Sequence, residues 1–511
     1  MLRPLGLSLG RRRLLSGAAA FSSVMIAGRA GHAASSMGFD EARHLLMRTG
    51  LGPTPSEIQA MAALDYAVAV DRLAGKVRTQ AQTAAPPWVN QAPNFIRQRA
   101  QQAAKDTPDV RPQQAGQKIV QEYGRELRAW WVEEMMATDQ PLVERMTLFW
   151  HNHFTSSVQK VRYVPAMYWQ NVLFRREALG NFATLLREVT RDPAMLIYLD
   201  GIRSVARQPN ENFARELLEL FTLGEGHYSE ADIKNAARAF TGWSMDRETG
   251  RYHLNSQQHD DGEKTFLGQT GRFSGDDIVA ILLKQPRTAE TIVEKLWREF
   301  VSLKPDAAET KRLAAILRNG GYEMKPLMKA MFLSPAFRDP ANRAGLIKSP
   351  VDLIVGTVRV LGLPVQEKSQ LVRMMGALGQ VILNPPNVKG WTGGETWITT
   401  NTLLLRQQFL RRIVEATSVS AMDGSRGEGG MMQPGMQAGR SMERREQLPV
   451  EGRSLRNSAG EAKLGPTLSN ADSDTLRRTL LARTPIDAVD AGGSPGAVVA
   501  AALLDPAYQL K

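Results

Sequence analysis

Three polar patterns in this 511-residue chain combine residue types and spacings that can do chemistry. The first is the run Pro209 to Gly224 (PNENFARELLELFTLG). At about 100° per residue, Phe213, Ala214, Leu217, Leu218, Leu220 and Phe221 form one broad apolar face, and Asn212, Glu216 and Glu219 line the opposite side. Two carboxylates and an amide on one stripe suit a hard cation, or an acid and a base. A solvated face, with Arg215 pairing Glu211 or Glu219 one turn away, gives the same pattern.

The second pattern is Phe149-Trp150-His151-Asn152-His153-Phe154. On a strand, His151 and His153 would share a side and could ligate one metal. On a helix they sit about 200° apart. There, Leu142, Met146, Phe149 and His153 share the apolar face, and His151 aligns with Glu144 and Thr147. That reading makes His153 a core histidine and His151 a surface one, and metal geometry returns only if the helix ends near Trp150. His259-Asp260-Asp261-Gly262 adds a histidine and two acids that could complete a metal site with Glu216 and Glu219; a turn explains the same residues. The third pattern is the loop Asn384 to Trp397, where Trp391 and Trp397 could stack on a ring, anchor a partner or plug the loop onto the body.

The elements that must position these residues read as overwhelmingly helical. Strong amphipathic segments run through Ile119–Ala137, the helix opened by Pro141, Asn210–Leu223, Glu230–Phe240, Ala289–Phe300 and Asn401–Ala416. Ser229 with Asp232 resembles a capping box, and Gly224 suits a helix C-terminus. A small hairpin is expected within the polar segment 244–273. Residues 79–117 are rich in Gln, Ala and Pro and read as a low-complexity insertion or a weak solvent-facing helix. The fold class is mainly α: one large multi-helical domain over 39–416, a disordered linker at 417–470, and a short helical tail at 471–511. Within the tail, ALLDPAY echoes MFLSPAF at 331–337, the same helix-then-proline solution used twice.

Composition narrows the chemistry. No cysteine is present, which excludes disulfides, thiolate metal sites and a Cys nucleophile. Phosphate-loop, nucleophile-elbow and H-E-x-x-H motifs are also absent. The net charge of +12 falls unevenly. Residues 1–33 hold five arginines and no acid: a basic start with Arg11-Arg12-Arg13, a mild apolar run, and small residues at 31 and 33. This layout predicts an export signal cut after Ala33, with paired arginines of the twin-arginine type, and a periplasmic or extracellular location. The remaining charge is diffuse and gives no nucleic-acid stripe. No other segment reaches the ~20 apolar residues of a membrane helix, so no transmembrane anchor is expected.

Taken together, FWHNHF at 149–154, DPAMLIYLD at 192–200, PNENFARELLELFTLG at 209–224, AARAFTGW at 236–243, His259-Asp260, Phe266–Gly268 and NPPNVKGW at 384–391 resemble the bacterial domain-of-unknown-function 1800 family. The resemblance covers roughly 39–414. It implies an exported, mostly helical protein, and it places His151, His153, Asn210, Glu211, Asn212, Arg215, Glu216, Glu219, His259, Asp260 and Trp391 in the family's signature. It supplies no assigned activity. Two functions follow as expectations. In one, a divalent metal on nitrogen and oxygen ligands drawn from His151, His153, Glu216, Glu219, His259 and Asp260 supports a hydrolase acting on an envelope or extracellular substrate. Glu216, Glu219 and Arg215 then do the chemistry, and Asn210, Asn212, Lys389, Trp391 and Trp397 bind substrate. In the other, the chain is a non-catalytic binding or maturation partner of the sulfatase-like exported proteins whose genes neighbour this family's, with the Trp391/Trp397 loop as contact surface.

Overall fold

Helix starts are written locally. Proline occupies the first turn of Pro112–Ala137, Pro141–His153, Pro193–Tyr198, Pro286–Phe300 and Pro350–Leu361, where its missing N–H costs nothing. Reciprocal capping boxes close Thr54/Glu57, Ser274/Asp277 and Ser349/Asp352, and the expected Ser229/Asp232 box heads Glu230–Ala239. A computed structural model describes residues 36–75, 77–107, 109–423, 465–487 and 493–511. The expected export segment, 1–33, and most of the expected linker, 424–464, lie outside the described residues.

Over Ser36–Lys511 the architecture is mainly α, with helices stacked on helices around one core. Its centre is aromatic: Trp131, Trp150, Phe154, Phe174 and Phe182 are buried completely, and the last four stack in series. The polar segment after Phe240 holds two small antiparallel pairs rather than one hairpin. Trp243–Met245 pairs with Tyr252–Leu254, and Lys264–Phe266 pairs with Gln269–Gly271. No helix among the described residues is long and apolar enough to cross a membrane.

The Gln/Ala/Pro segment takes the helical alternative. Pro93–Asp106 forms a helix along Pro112–Ala137 and buries Ala100. Ahead of it, Trp88 stacks flat on Tyr123 at 4.5 Å and donates to Glu126 at 2.6 Å, which pins the low-complexity stretch to the body.

The tail packs back on the body. Leu476, Leu480, Val498, Leu503 and Tyr508 are buried in the common core. The echoed motif is built alike at both places: a helix ends, Ser334 or Asp505 caps the turn after it, and Phe337 or Tyr508 plugs the core. Lys511 reaches a buried ion network in which Asp352 accepts from Lys511 at 2.7 Å and also pairs with Arg145, whose other arm meets Glu299 at 2.9 Å. These two cations hold the Asp352 carboxyl far below the usual carboxylate range despite its burial.

Candidate functional site

The two signature histidines leave the Pro141–His153 helix in different directions, as helical geometry requires. His153 is buried, as its place on the apolar face predicted; contrary to expectation, so is His151. His151 packs against Trp131 and Phe174, with ring centroids 4.7 and 4.6 Å away. Its Nε2 meets Asn171 Nδ2 at 3.1 Å, Asn171 Oδ1 accepts from Arg175 at 2.8 Å, and Arg175 grips Glu144 with two bonds of 2.6 and 2.9 Å. Trp131 donates to the same carboxylate at 2.9 Å. The polar stripe Glu144–Thr147–His151, expected at the surface, is therefore the inner edge of a closed hydrogen-bond network. Burial first, then the Arg175 charge, keeps the His151 ring neutral.

His153 faces a different neighbourhood. Its ring lies among Phe149, Phe154 and Phe221, and its Nδ1 is 3.1 Å from Lys295 Nζ. Lys295 also donates to the Leu220 carbonyl at 2.6 Å. Burial, reinforced by Arg298, lowers the Lys295 ammonium to about 8, and burial with Lys295 holds His153 neutral, so Nδ1 accepts.

That carbonyl is free because the helix changes type. Asn210 caps Glu211–Glu216, and the chain then continues as a π-helical turn, Leu217–Thr222. Leu223 N–H reaches back five residues to Leu218 at 2.8 Å. Such wide turns are rare and concentrate at functional sites. Here the turn releases carbonyls sideways: Leu220 to Lys295, and Leu223 to Arg287 and Thr291 at 3.1 and 3.2 Å.

The switch from α to π separates the two signature carboxylates. Glu216 is half-buried, and its carboxyl is raised first by burial and then by the Glu219 charge. Glu219 accepts from Tyr228 Oη at 2.9 Å and lies 3.8 Å from Lys389 Nζ. Tyr198, from the DPAMLIYLD motif, is close enough to Glu216 for that charge to raise its phenol further. Arg215 turns away, gripping Glu230 at 2.8 and 2.9 Å and touching Glu211 at 3.4 Å. Asn210 and Asn212 bond the carbonyls of Asp200 and Leu199, so both amides tie the helix start to the preceding turn.

The NPPNVKGW loop closes the assembly. Asn152, between the two histidines, accepts from Trp391 N–H at 2.7 Å and donates to Trp391 carbonyl at 3.2 Å. Gly390 permits this contact. It sits at φ 79°, and a Cβ there would lie 2.3 Å from Asn152 Oδ1. Trp391 and Trp397 are each 8% exposed, as the alternative in which they plug the loop onto the body expected. They line a cavity of about 310 Å³, together with His153, Lys295, Arg298 and Lys389.

His259 and Asp260 serve the first small sheet's exit. His259 Nδ1 meets the Thr241 carbonyl at 2.9 Å, and Asp260 is gripped by Arg238 at 2.7 and 3.2 Å. The six residues expected to ligate a cation thus fall into separate settings. Among the described residues, no three His, Asp or Glu side chains form a group that could hold a metal ion.

Lys295, Arg298, Tyr198 and Tyr228 join the site without having been singled out in the sequence. The signal for Lys295 was present: at three and four residues after Ile292 and Thr291, it falls on the buried side of its helix. Residues 44–510 match the family described as protein of unknown function (DUF1800). No curated protein and no solved structure matches the chain.

Proposed function

The chain belongs to the DUF1800 family, and from that premise we propose that it is an exported hydrolase in which Glu216 and Glu219 act as acid and base, Glu219 standing 3.8 Å from Lys389 of the Trp391 cavity's lining. The reading is carried by one observation: two carboxylates lie either side of an α-to-π switch, one with its carboxyl raised by burial first and then by the charge of the other. A raised carboxyl holds its proton to higher pH than an ordinary glutamate, which suits an acid, and a neighbour with different partners can take a proton from water. In the reaction, Glu216 protonates the leaving oxygen as the C–O bond breaks. Glu219, oriented by Tyr228 and Lys389, removes a proton from the attacking water as the new C–O bond forms. The water and the two proton transfers balance, and the acid and base are restored through solvent.

Export rests on the arginine-rich start with its small-residue cleavage site, and the substrate is then an envelope or extracellular one. The test is cleavage of a panel of p-nitrophenyl esters and glycosides by the full chain. Cleavage is expected for at least one panel member, and is expected to be lost in Glu216→Gln and Glu219→Gln proteins that keep the wild-type circular dichroism. Cleavage unchanged in both variants removes the assignment.

A further inference from the structure

We infer that the cavity beneath Trp391 receives an acidic sugar, its oxyanion held by Lys295 and Arg298 and its ring lying on the indoles of Trp391 and Trp397. The inference deepens the hydrolase reading by naming the substrate class of that site. Its anion seat stands on separate observations.

The first is charge imbalance. Five cationic side chains line the cavity, and its two acids, Glu299 and Asp352, are already paired with Arg145 and Lys511. Lys389 is matched by Glu219. Lys295 and Arg298, one turn apart on Pro286–Phe300, are left: among the described residues neither pairs with a carboxylate. The nearest groups to Lys295 are a neutral imidazole and a carbonyl. A half-buried ammonium without a counter-charge is unfavourable, and a bound carboxylate or sulfate would supply it.

The second is the shape and lining. The cavity, about 310 Å³, lies within the range that accepts a single-ring ligand. The exposed parts of the two indoles, each 8% exposed, join Leu148, Phe149 and Leu303 as apolar lining, and Gln380 and Thr392 add an amide and a hydroxyl. A pyranose matches this division: its C–H face lies on an aromatic ring and its hydroxyls meet polar groups. A flat aromatic acid would use the indoles and leave the polar wall unmatched.

Calorimetric titration of the full chain with D-glucuronate, D-glucose and benzoate tests the inference. Glucuronate is expected to bind, with glucose and benzoate each weaker by about tenfold or more. Arg298→Gln, an exposed change that leaves the core intact, is expected to weaken glucuronate about tenfold while glucose is unaffected; Trp391→Phe is expected to weaken both. Equal affinities for glucuronate and glucose, equal affinities for glucuronate and benzoate, absence of glucuronate binding, or an Arg298→Gln protein with wild-type affinity would each overturn it. Glucuronate binding by a protein that cleaves no panel substrate supports the seat and removes only the hydrolase reading. Cleavage that is insensitive to Arg298→Gln does the reverse.

Discussion

Lys295 Nζ stands 3.1 Å from His153 Nδ1 and gives a second bond, 2.6 Å long, to the Leu220 carbonyl. One amine thereby joins three elements far apart in sequence: the FWHNHF helix, the π-helical turn and the Pro286–Phe300 helix. His153 and Lys295 of this junction line the cavity, Glu219 lies on the π turn that frees the carbonyl, and Glu216 ends the α-helix just before it.

Removing that amine leaves two acceptors with no donor. Lys295→Met is expected to destabilise the protein by about 1–3 kcal/mol, because the Leu220 carbonyl and the His153 ring lose their partner while burial is kept. Urea midpoints read this. An unchanged midpoint would mean that the junction is not a structural tie.

Asp352 balances two buried cations. Asp352→Ala leaves Arg145 and Lys511 without it and is expected to cost about 3–5 kcal/mol; Lys511→Met, which leaves the Arg145 pair in place, is expected to cost less. Because its folded carboxyl is depressed, the contribution of Asp352 is present above the unfolded carboxylate value and is lost as pH falls through the acid range. Equal midpoints for the two variants would contradict this ranking.

Stability should fall between pH 7 and pH 5. His44, lowered to about 3, and the buried His151 and His153 stay neutral in the fold, so the unfolded chain takes up protons first as pH drops below the ordinary histidine value. Asp192 opposes them: burial raises its carboxyl to about 7, so its contribution is present at low pH and lost as pH rises through 7. Three groups outweigh one. Urea midpoints at pH 7, 6 and 5 should decline, and more steeply in Asp192→Asn, which keeps the helix cap. A flat profile would contradict the account.

Two glycines with the same backbone provide a controlled pair. Gly390 and Gly268 have φ of 79° and 78°, but a Cβ at Gly390 meets Asn152, whereas one at Gly268 has nothing within 4 Å. Both alanine variants carry backbone strain of about 1 kcal/mol. Gly390→Ala must also push the loop off Asn152, and so should lose more stability and disturb the fluorescence of Trp391. Equal losses would show that the Asn152 contact does not hold the loop.

Much of this was legible in the chain. Helix starts carry prolines and capping boxes, and the repeated helix-then-proline motif gives a capped helical turn with a buried aromatic at both places, α-type at Phe337 and 3-10 at Tyr508. Apolar spacing placed His153 inside. The same reasoning put His151 outside, because Glu144, Thr147 and His151 are polar. Their partner Arg175 comes from another helix, and no local pattern announces that a polar stripe will be buried against a polar stripe. The π turn was also invisible, since one extra residue per turn leaves the apolar residues Leu217, Leu218 and Phe221 inward all the same. Lys295 was passed over as one more charge on an amphipathic helix. Asn210 and Asn212, read as substrate-binding residues, and Arg215, read as a catalytic one, each also tie neighbouring segments together, a partnership that no local pattern announces.

The central claim is that Glu216 is the proton donor. The pH–rate profile of the alkyl ester or glycoside corresponding to the best p-nitrophenyl substrate, wild type against Glu216→Gln, tests it most directly, because an alkoxide leaving group needs the proton. The account predicts a wild-type profile whose alkaline limb lies above the ordinary glutamate value, since the raised carboxyl must stay protonated, and a variant that is folded, binds substrate and turns over at least about a hundredfold more slowly. A Glu216→Gln protein with the wild-type rate and profile would contradict it.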